Sequence, residues 1–201
     1  MFTYLALGDS YTIGEQVPFS ENFPSQAISI LHQHKMEVSD PVIIATTGWT
    51  TDELQTAIRE KGLKEAFSFV SLLIGVNNQY RGRSLENYKE EFTQLLTQAI
   101  HFANGHTDKV LVLSIPDWGV TPFAEGKDHA QIAKEIDEYN SAAEKITLSH
   151  KCHFIDITDS TRLNGKKDDF LADDKLHPSG KEYAVWAQRL SAKVLREFKI
   201  D

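Results

Sequence analysis

Apolar residues fall along this chain in two rhythms. Short unbroken runs rich in β-forming residues occur at Tyr4–Leu7, Val42–Ala45, Phe69–Ile74, Val110–Ser114 and Phe154–Asp156. Between them lie stretches with apolar residues three and four apart, the spacing that gathers side chains on one helix face. The clearest spans Leu85 to Phe102, where Leu85, Tyr88, Phe92, Leu95, Leu96, Ala99 and Ile100 share a face. A second covers His129 to Ser149, with Ile132, Ala133, Ile136, Tyr139, Ala143 and Ile146 inward. A third runs from Ser179 to Phe198 through Tyr183, Trp186, Ala187, Leu190 and Val194. Thr50 with Glu53, and Ser179 with Glu182, have the spacing of capping boxes at helix starts.

The strand runs do not alternate apolar with polar, so both faces of each strand are expected to be buried. That pattern predicts an α/β fold: a parallel sheet of about five strands covered by helices on both sides. No repeat or low-complexity linker interrupts residues 1–201, which are expected to form a single domain. In open parallel sheets, ligands bind beyond the carboxyl ends of the strands. The segments expected along that edge are Gly8–Ser10, Thr46–Trp49, Gly75–Arg81, Pro116–Trp118 and the loop ending in Asp174–His177.

Composition narrows the function classes. With 21 basic against 29 acidic residues the formal charge is −8, and no dense basic run is present, so a nucleic-acid surface or anionic membrane patch is not expected. No window approaches the roughly 20 apolar residues of a membrane span, and the N-terminus lacks the pattern of a secretory leader. The lone cysteine, Cys152, cannot form an intramolecular disulfide and fits a reducing compartment, so a cytoplasmic location is expected. Neither a Gly-x-Gly-x-x-Gly nor a Gly-x-x-x-x-Gly-Lys-Ser/Thr motif occurs, and no cofactor is expected. His150-x-Cys152-His153 and Asp173-Asp174-x-x-His177 contain ligand-type residues without a zinc spacing, so no metal is expected.

Chemistry enters through two segments at opposite ends of the chain. Ser10 stands at the exit of the first strand, and Asp174 precedes His177 by three residues. Serine is a weak nucleophile near neutral pH unless an imidazole takes its proton, and the imidazole needs an acceptor that fixes its tautomer. These three residues are the parts of an acyl-transfer triad. Ser10 taken alone is better read as a helix N-cap, the commoner role of a serine after a strand, and Asp9 as a side chain tying that turn to nearby backbone. Asp173 competes with Asp174 as the orienting acid, and the three-residue spacing to His177 favours Asp174. Pro178 biases His177 away from helical geometry ahead of the helix that Ser179 caps. Gly-x-Ser-x-Gly is absent, which disfavours an α/β-hydrolase elbow.

Gly8-Asp9-Ser10, Gly48, Gly75-Val76-Asn77-Asn78 and Asp174-x-x-His177 resemble, in order and over nearly the whole chain, the four blocks of SGNH hydrolases, also called GDSL esterases/lipases. The resemblance implies a flavodoxin-like three-layer fold and ester hydrolysis. It implies Ser10 as nucleophile, His177 as general base and Asp174 as its orienting carboxylate. The Ser10 and Gly48 amides and the Asn77 side chain would then form the oxyanion hole. Physical reasoning agrees: Gly48 permits close backbone approach, and Asn77 offers a neutral NH₂ donor. The third block usually ends in Asp, and here Asn78 stands in its place, keeping hydrogen-bonding capacity without the charge.

The expected partner is a small or single-chain carboxylic ester, with carbohydrate O-deacetylation, lysophospholipid cleavage and thioester cleavage all compatible with this machinery. Trp49, Asn78, Tyr80, Arg81, Trp118 and Phe123 are candidate substrate-binding residues from the edge loops. Arg81 and Arg83 fit an acid or sugar group, although ordinary solvated loop charge is the favoured reading. Two rival readings are a non-catalytic ligand-binding protein on the same fold and, more weakly, a metal-dependent phosphodiesterase.

Overall fold

The computed structural model describes residues 1–199. Five strands, β1 (Tyr4–Asp9), β2 (Val42–Thr46), β3 (Phe69–Leu73), β4 (Val110–Leu113) and β5 (His153–Ile155), form one all-parallel sheet. Their order is β2-β1-β3-β4-β5. The three inner strands are buried along their whole length, which explains their unalternating sequences. The edge strands are partly exposed. Where β3 places Ser71 inside the sheet's covering layer, the Tyr4 hydroxyl meets its Oγ at 2.7 Å, so neither polar group is left bare.

Among the described residues the helices are α1 (Ser10–Ile13), α2 (Phe23–Gln33), α3 (Thr51–Lys61), α4 (Val76–Tyr80), α5 (Leu85–Phe102), α6 (His129–Ser149), α7 (Thr158–Asn164) and α8 (Gly180–Phe198). α2 packs against α8 on one side of the sheet, while α5 lies between α3 and α6 on the other. Trp186, Tyr183, Leu190 and Val194 of α8 are fully or almost fully buried. Each such large apolar side chain contributes roughly 1.5–3 kcal/mol by leaving water. Among the described residues no helix is long and apolar enough to cross a membrane.

α5 and α6 begin and end where the apolar periodicity places them. The strand expected at Phe154–Asp156 is displaced to His153–Ile155, because Asp156 leaves the ladder and its Oδ1 accepts the Thr158 amide at 2.8 Å. The capping box at Thr50–Glu53 forms, with the Thr50 amide donating to Glu53 Oε2 at 2.9 Å. The one expected at Ser179–Glu182 does not. The Ser179 amide already donates to the Phe170 carbonyl at 3.0 Å. Glu182 turns inward instead and accepts from Ser160 Oγ (2.5 Å), Asn164 Nδ2 (2.8 Å) and Trp186 Nε1 (3.0 Å).

From β1 the chain passes outward to β2 and then returns to the other side as β3, so strand order reverses at the β1–β3 boundary. A crevice opens at such a switch point, beyond the carboxyl ends of the strands. Gly8 lets β1 end tightly there: a Cβ on it would lie 2.1 Å from Thr12 Oγ1 and 2.5 Å from the Leu73 carbonyl. Only a residue without a side chain brings Ser10 this close to the end of β3.

Candidate active site

Ser10 opens α1 directly after β1, and Asp9 stabilises the turn by accepting the Tyr11 amide at 3.0 Å. Across the sheet edge, the loop before α8 presents His177. Asp174 organises that loop, since its Oδ1 accepts both the Leu176 amide (3.0 Å) and the His177 amide (2.9 Å). The Ala172 amide donates to the His177 carbonyl at 2.8 Å and closes the turn. The other carboxylate oxygen, Oδ2, lies 2.6 Å from His177 Nδ1, and His177 Nε2 lies 3.0 Å from Ser10 Oγ.

The directions of these hydrogen bonds follow from acceptor chemistry. An ionised carboxylate only accepts, so Nδ1 carries the proton and Nε2 of the neutral ring is left to accept from the Ser10 hydroxyl. Burial raises the pKa of Asp174, but bonds from the His177 ring and two amides outweigh it and hold the carboxyl below the ordinary carboxylate range. Asp9 lacks such compensation. Complete burial pushes its pKa up to about 7, although the Tyr11 amide pulls the other way. Asp173 is exposed and takes no part in this arrangement.

Opposite His177, Gly48 and Asn77 reach the same cleft from the ends of β2 and β3. Gly48 has φ +84°, a left-handed conformation that favours glycine, and its carbonyl is held by Arg81 Nη2 at 2.6 Å. Among the described residues no acceptor meets the Gly48 N–H. Asn77 Nδ2 donates to the Trp49 carbonyl at 3.0 Å and keeps only a 3.5 Å contact with Asp9 Oδ2.

The cleft has a volume of about 180 Å³. Its walls include Tyr80, Trp118 and Phe123 beside Ser10, Gly48, Asn77 and His177. Three other candidates are not among its lining residues. Asn78 is fully buried and bonds Thr51, so it is not available to a ligand. Arg81 is engaged by Gly48 and Glu53, and Trp49 lines a separate groove with Asp52, Glu53 and Glu60. Arg83 is paired with Asp52 at 2.6 Å. Tyr11, Thr47, Val76 and Leu176 line the cleft without having been singled out. Each lies one residue from a candidate, so adjacency was their only signal.

The GDSL-like lipase/acylhydrolase family profile matches residues 6–185. A search of curated proteins returns no match. Among solved structures, a lipase/acylhydrolase from Enterococcus faecalis superposes with a TM-score of 0.77 at 19% identity, covering 100% of this chain and 98% of that one. An acetylxylan esterase from Geobacillus stearothermophilus gives 0.73 at 18% identity, with coverage of 100% and 95%. A psychrotrophic esterase from Pseudoalteromonas sp., in a structure inhibited by monoethylphosphonate, gives 0.71 at 14%, with coverage of 99% and 100%. These likenesses show the three-layer α/β fold.

Proposed function

The chain belongs to the GDSL-like lipase/acylhydrolase family, and from that premise we propose that it hydrolyses carboxylic esters through an acyl-enzyme on Ser10. The observation that carries this reading is the hydrogen-bonded series Asp174–His177–Ser10, at 2.6 and 3.0 Å. Ser10 Oγ attacks the ester carbonyl carbon while His177 Nε2 takes its proton. Asp174 stabilises the imidazolium that forms and keeps Nδ1 protonated. The carbonyl oxygen becomes an oxyanion, which the amides of Ser10 and Gly48 and Asn77 Nδ2 receive. Collapse breaks the bond to the alkoxy oxygen, which leaves as the alcohol with the proton from Nε2. Water then attacks the acyl carbon, giving its proton to Nε2. Collapse of the second intermediate releases the acid and returns the proton to Oγ.

The cleft supports a small uncharged ester group. Its volume of about 180 Å³ lies below the roughly 300–1,000 Å³ of sites for drug-sized ligands. Its lining is aromatic and aliphatic around the polar reacting centre, with no Lys, Arg, Asp or Glu among the described residues. Residues 1–201 act as one hydrolase domain in this reading.

Active-site labelling tests it. A fluorophosphonate should label the wild-type protein at Ser10, and Ser10→Ala should remove the label. His177→Ala should slow labelling by orders of magnitude. A folded protein that neither labels nor turns over any ester in a panel of acyl lengths would instead be a binding protein on this fold.

A further inference from the structure

Behind the cleft lies a second, smaller and more enclosed cavity of about 20 Å³. Tyr11, Trp118 and Leu176 line both spaces, so the two adjoin at these three residues. Two belong to segments already committed to the reacting groups. Tyr11 follows Ser10 and its ring lies 5.2 Å from that of His177, while Leu176 separates Asp174 from His177 and bonds to the Asp174 carboxylate. Trp118 alone comes from another part of the chain.

Its ring is held from several directions. The buried indole Nε1 donates to Gln79 Oε1 at 2.8 Å. Gln79 is itself fixed, since its Nε2 donates to Glu135 Oε2 at 2.7 Å, and Gln131 donates to the other oxygen of Glu135 at 2.7 Å. Tyr80 meets the ring edge-on at 5.2 Å and Phe123 at 6.1 Å. Trp118 is only 6% exposed, whereas Tyr80 and Phe123 are 53% and 44% exposed. The two exposed rings therefore stand towards solvent, and the indole forms the inner end of the same aromatic wall.

The rear cavity is suited to apolar matter despite its polar neighbours, because those neighbours are already engaged. Asp117 accepts from Gly119 and Arg162, Glu182 has its three donors, and the Thr121 and Thr161 hydroxyls donate to backbone carbonyls. The remaining lining includes Pro116, Phe170, Leu171 and Pro178.

We propose that Trp118 is a length stop: it limits the ester substituent that the cleft admits by sealing off the cavity behind it, and Gln79 is the residue that positions it. The inference rests on the esterase reading above. A hydrophobic site discriminates by about 10- to 200-fold for each methylene it gains or cannot hold, so removing the stop should alter selectivity between chain lengths rather than scale all activities together.

The test compares wild type, Trp118→Ala, Trp118→Leu and Gln79→Met on two series. One is p-nitrophenyl esters from acetate to decanoate; the other is alkyl acetates from methyl to hexyl. Wild type should lose kcat/KM with length in at least one series. In that series, Trp118→Ala should raise the long-to-short ratio of kcat/KM at least about tenfold, chiefly through a lower KM for the longer esters. The series that responds identifies the acyl or the alcohol side as the one resting on Trp118. Trp118→Leu retains apolar packing if the alanine variant does not fold, and it should shift the ratio in the same direction. Gln79→Met leaves the indole in place but unheld, and should relax selectivity by a smaller factor. Unchanged ratios in folded Trp118 variants overturn the stop, as does a wild type that prefers the longest ester in both series. Absence of any wild-type hydrolysis above a Ser10→Ala control overturns the esterase reading itself, and the stop with it.

Discussion

Asp174→Asn gives the sharpest test of the proposed chemistry, because the local backbone dictates how asparagine must sit. In the native loop Oδ1 accepts two amides, from Leu176 at 3.0 Å and His177 at 2.9 Å. Those donors demand an oxygen. An asparagine therefore keeps its carbonyl there and turns its NH₂ towards His177 Nδ1, where Asp174 Oδ2 now stands at 2.6 Å. An NH₂ group only donates, so Nδ1 must become the acceptor and the ring proton moves to Nε2. Nε2 then offers a hydrogen to Ser10 Oγ instead of accepting one, and the base is lost with almost no change in shape. In the serine-protease template the same tautomer error lowers kcat by about 10⁴, which corresponds to about 5 kcal/mol of barrier. We expect a comparable loss here at neutral pH, with unfolding by urea little changed because both amide bonds survive. Asp173→Asn, at an exposed neighbour, should stay within about twofold of wild type. The assay is steady-state hydrolysis of p-nitrophenyl acetate beside urea melts of all three proteins. Asp174→Asn activity within tenfold of wild type, or a larger loss in Asp173→Asn, would refute the argument.

Ser10→Ala and His177→Ala should each remove most turnover while circular dichroism and thermal melting remain near wild type, and the double variant should be scarcely worse than either single one. Asn77→Ala should lower kcat by roughly 100- to 1,000-fold through loss of one oxyanion donor. Asn78→Ala should affect kcat less but cost about 1–3 kcal/mol of stability, because the Thr51 amide loses its buried acceptor; the reverse ranking on one substrate would shift the assignment by one residue. Asp9 should give stability a pH dependence of known sign. With its native pKa near 7 against an ordinary value of 3.8, the folded state binds the extra proton between those limits. Its contribution therefore declines as pH rises from 4 to 7, by up to about 1.4 kcal/mol per pH unit. Asp9→Asn should flatten that decline in urea melts at pH 5 and 8, and an unchanged slope would contradict it.

What the sequence revealed about fold and site followed the range of the interactions. The α/β order was legible because strands and helices bury faces set by local periodicity, as in α5 and α6. α2 escaped: Pro24 and the polar residues Ser25, Gln26 and Ser29 mask the apolar face of Phe23, Ala27, Ile28 and Leu31, which packing against α8 completes. Asp174 and His177 could be paired because their contact is made within one turn of backbone. The lining was harder. Trp49 and Arg81 lie in the expected edge loops, yet Trp49 lines a separate groove and the Arg81 guanidinium is held by the Gly48 carbonyl and Glu53, contacts that no spacing rule encodes. Glu182 shows the same limit, since a buried cluster of Ser160, Asn164 and Trp186 draws it away from the cap that its spacing suggests.

α4 shows how one helical turn serves several distant partners, and it accounts for the asparagine at the position where the family usually has an acid. Successive helical side chains point about 100° apart, and three consecutive amides here go three ways. Asn77 reaches the cleft, Asn78 the start of α3, and Gln79 the indole of Trp118. Asn78 Oδ1 accepts the Thr51 amide at 3.1 Å, and its Nδ2 donates to Thr51 Oγ1 at 2.7 Å. The Thr51 hydroxyl passes its own hydrogen to Glu91 Oε2. Each group thus has one role, and the series ends on a carboxylate. An aspartate at this position would set two carboxylates on one hydroxyl that has a single hydrogen to give, and Arg83 lies 3.9 Å from Glu91, too far to neutralise both at contact distance. Asn78→Asp should therefore destabilise the protein by about 1–3 kcal/mol. Glu91→Gln alone should cost less, since an amide can still accept from Thr51. With Glu91→Gln in place, Asn78→Asp should cost less than it does in the wild-type background. The Thr51 hydroxyl can then donate to the new carboxylate, while the amide that replaces the Glu91 carboxylate supplies a donor of its own. Urea denaturation of the four proteins measures this coupling directly. Additive effects, within about 0.5 kcal/mol, would show that the side chains at these two positions do not compete for Thr51 and that the departure from the family's acid has another origin.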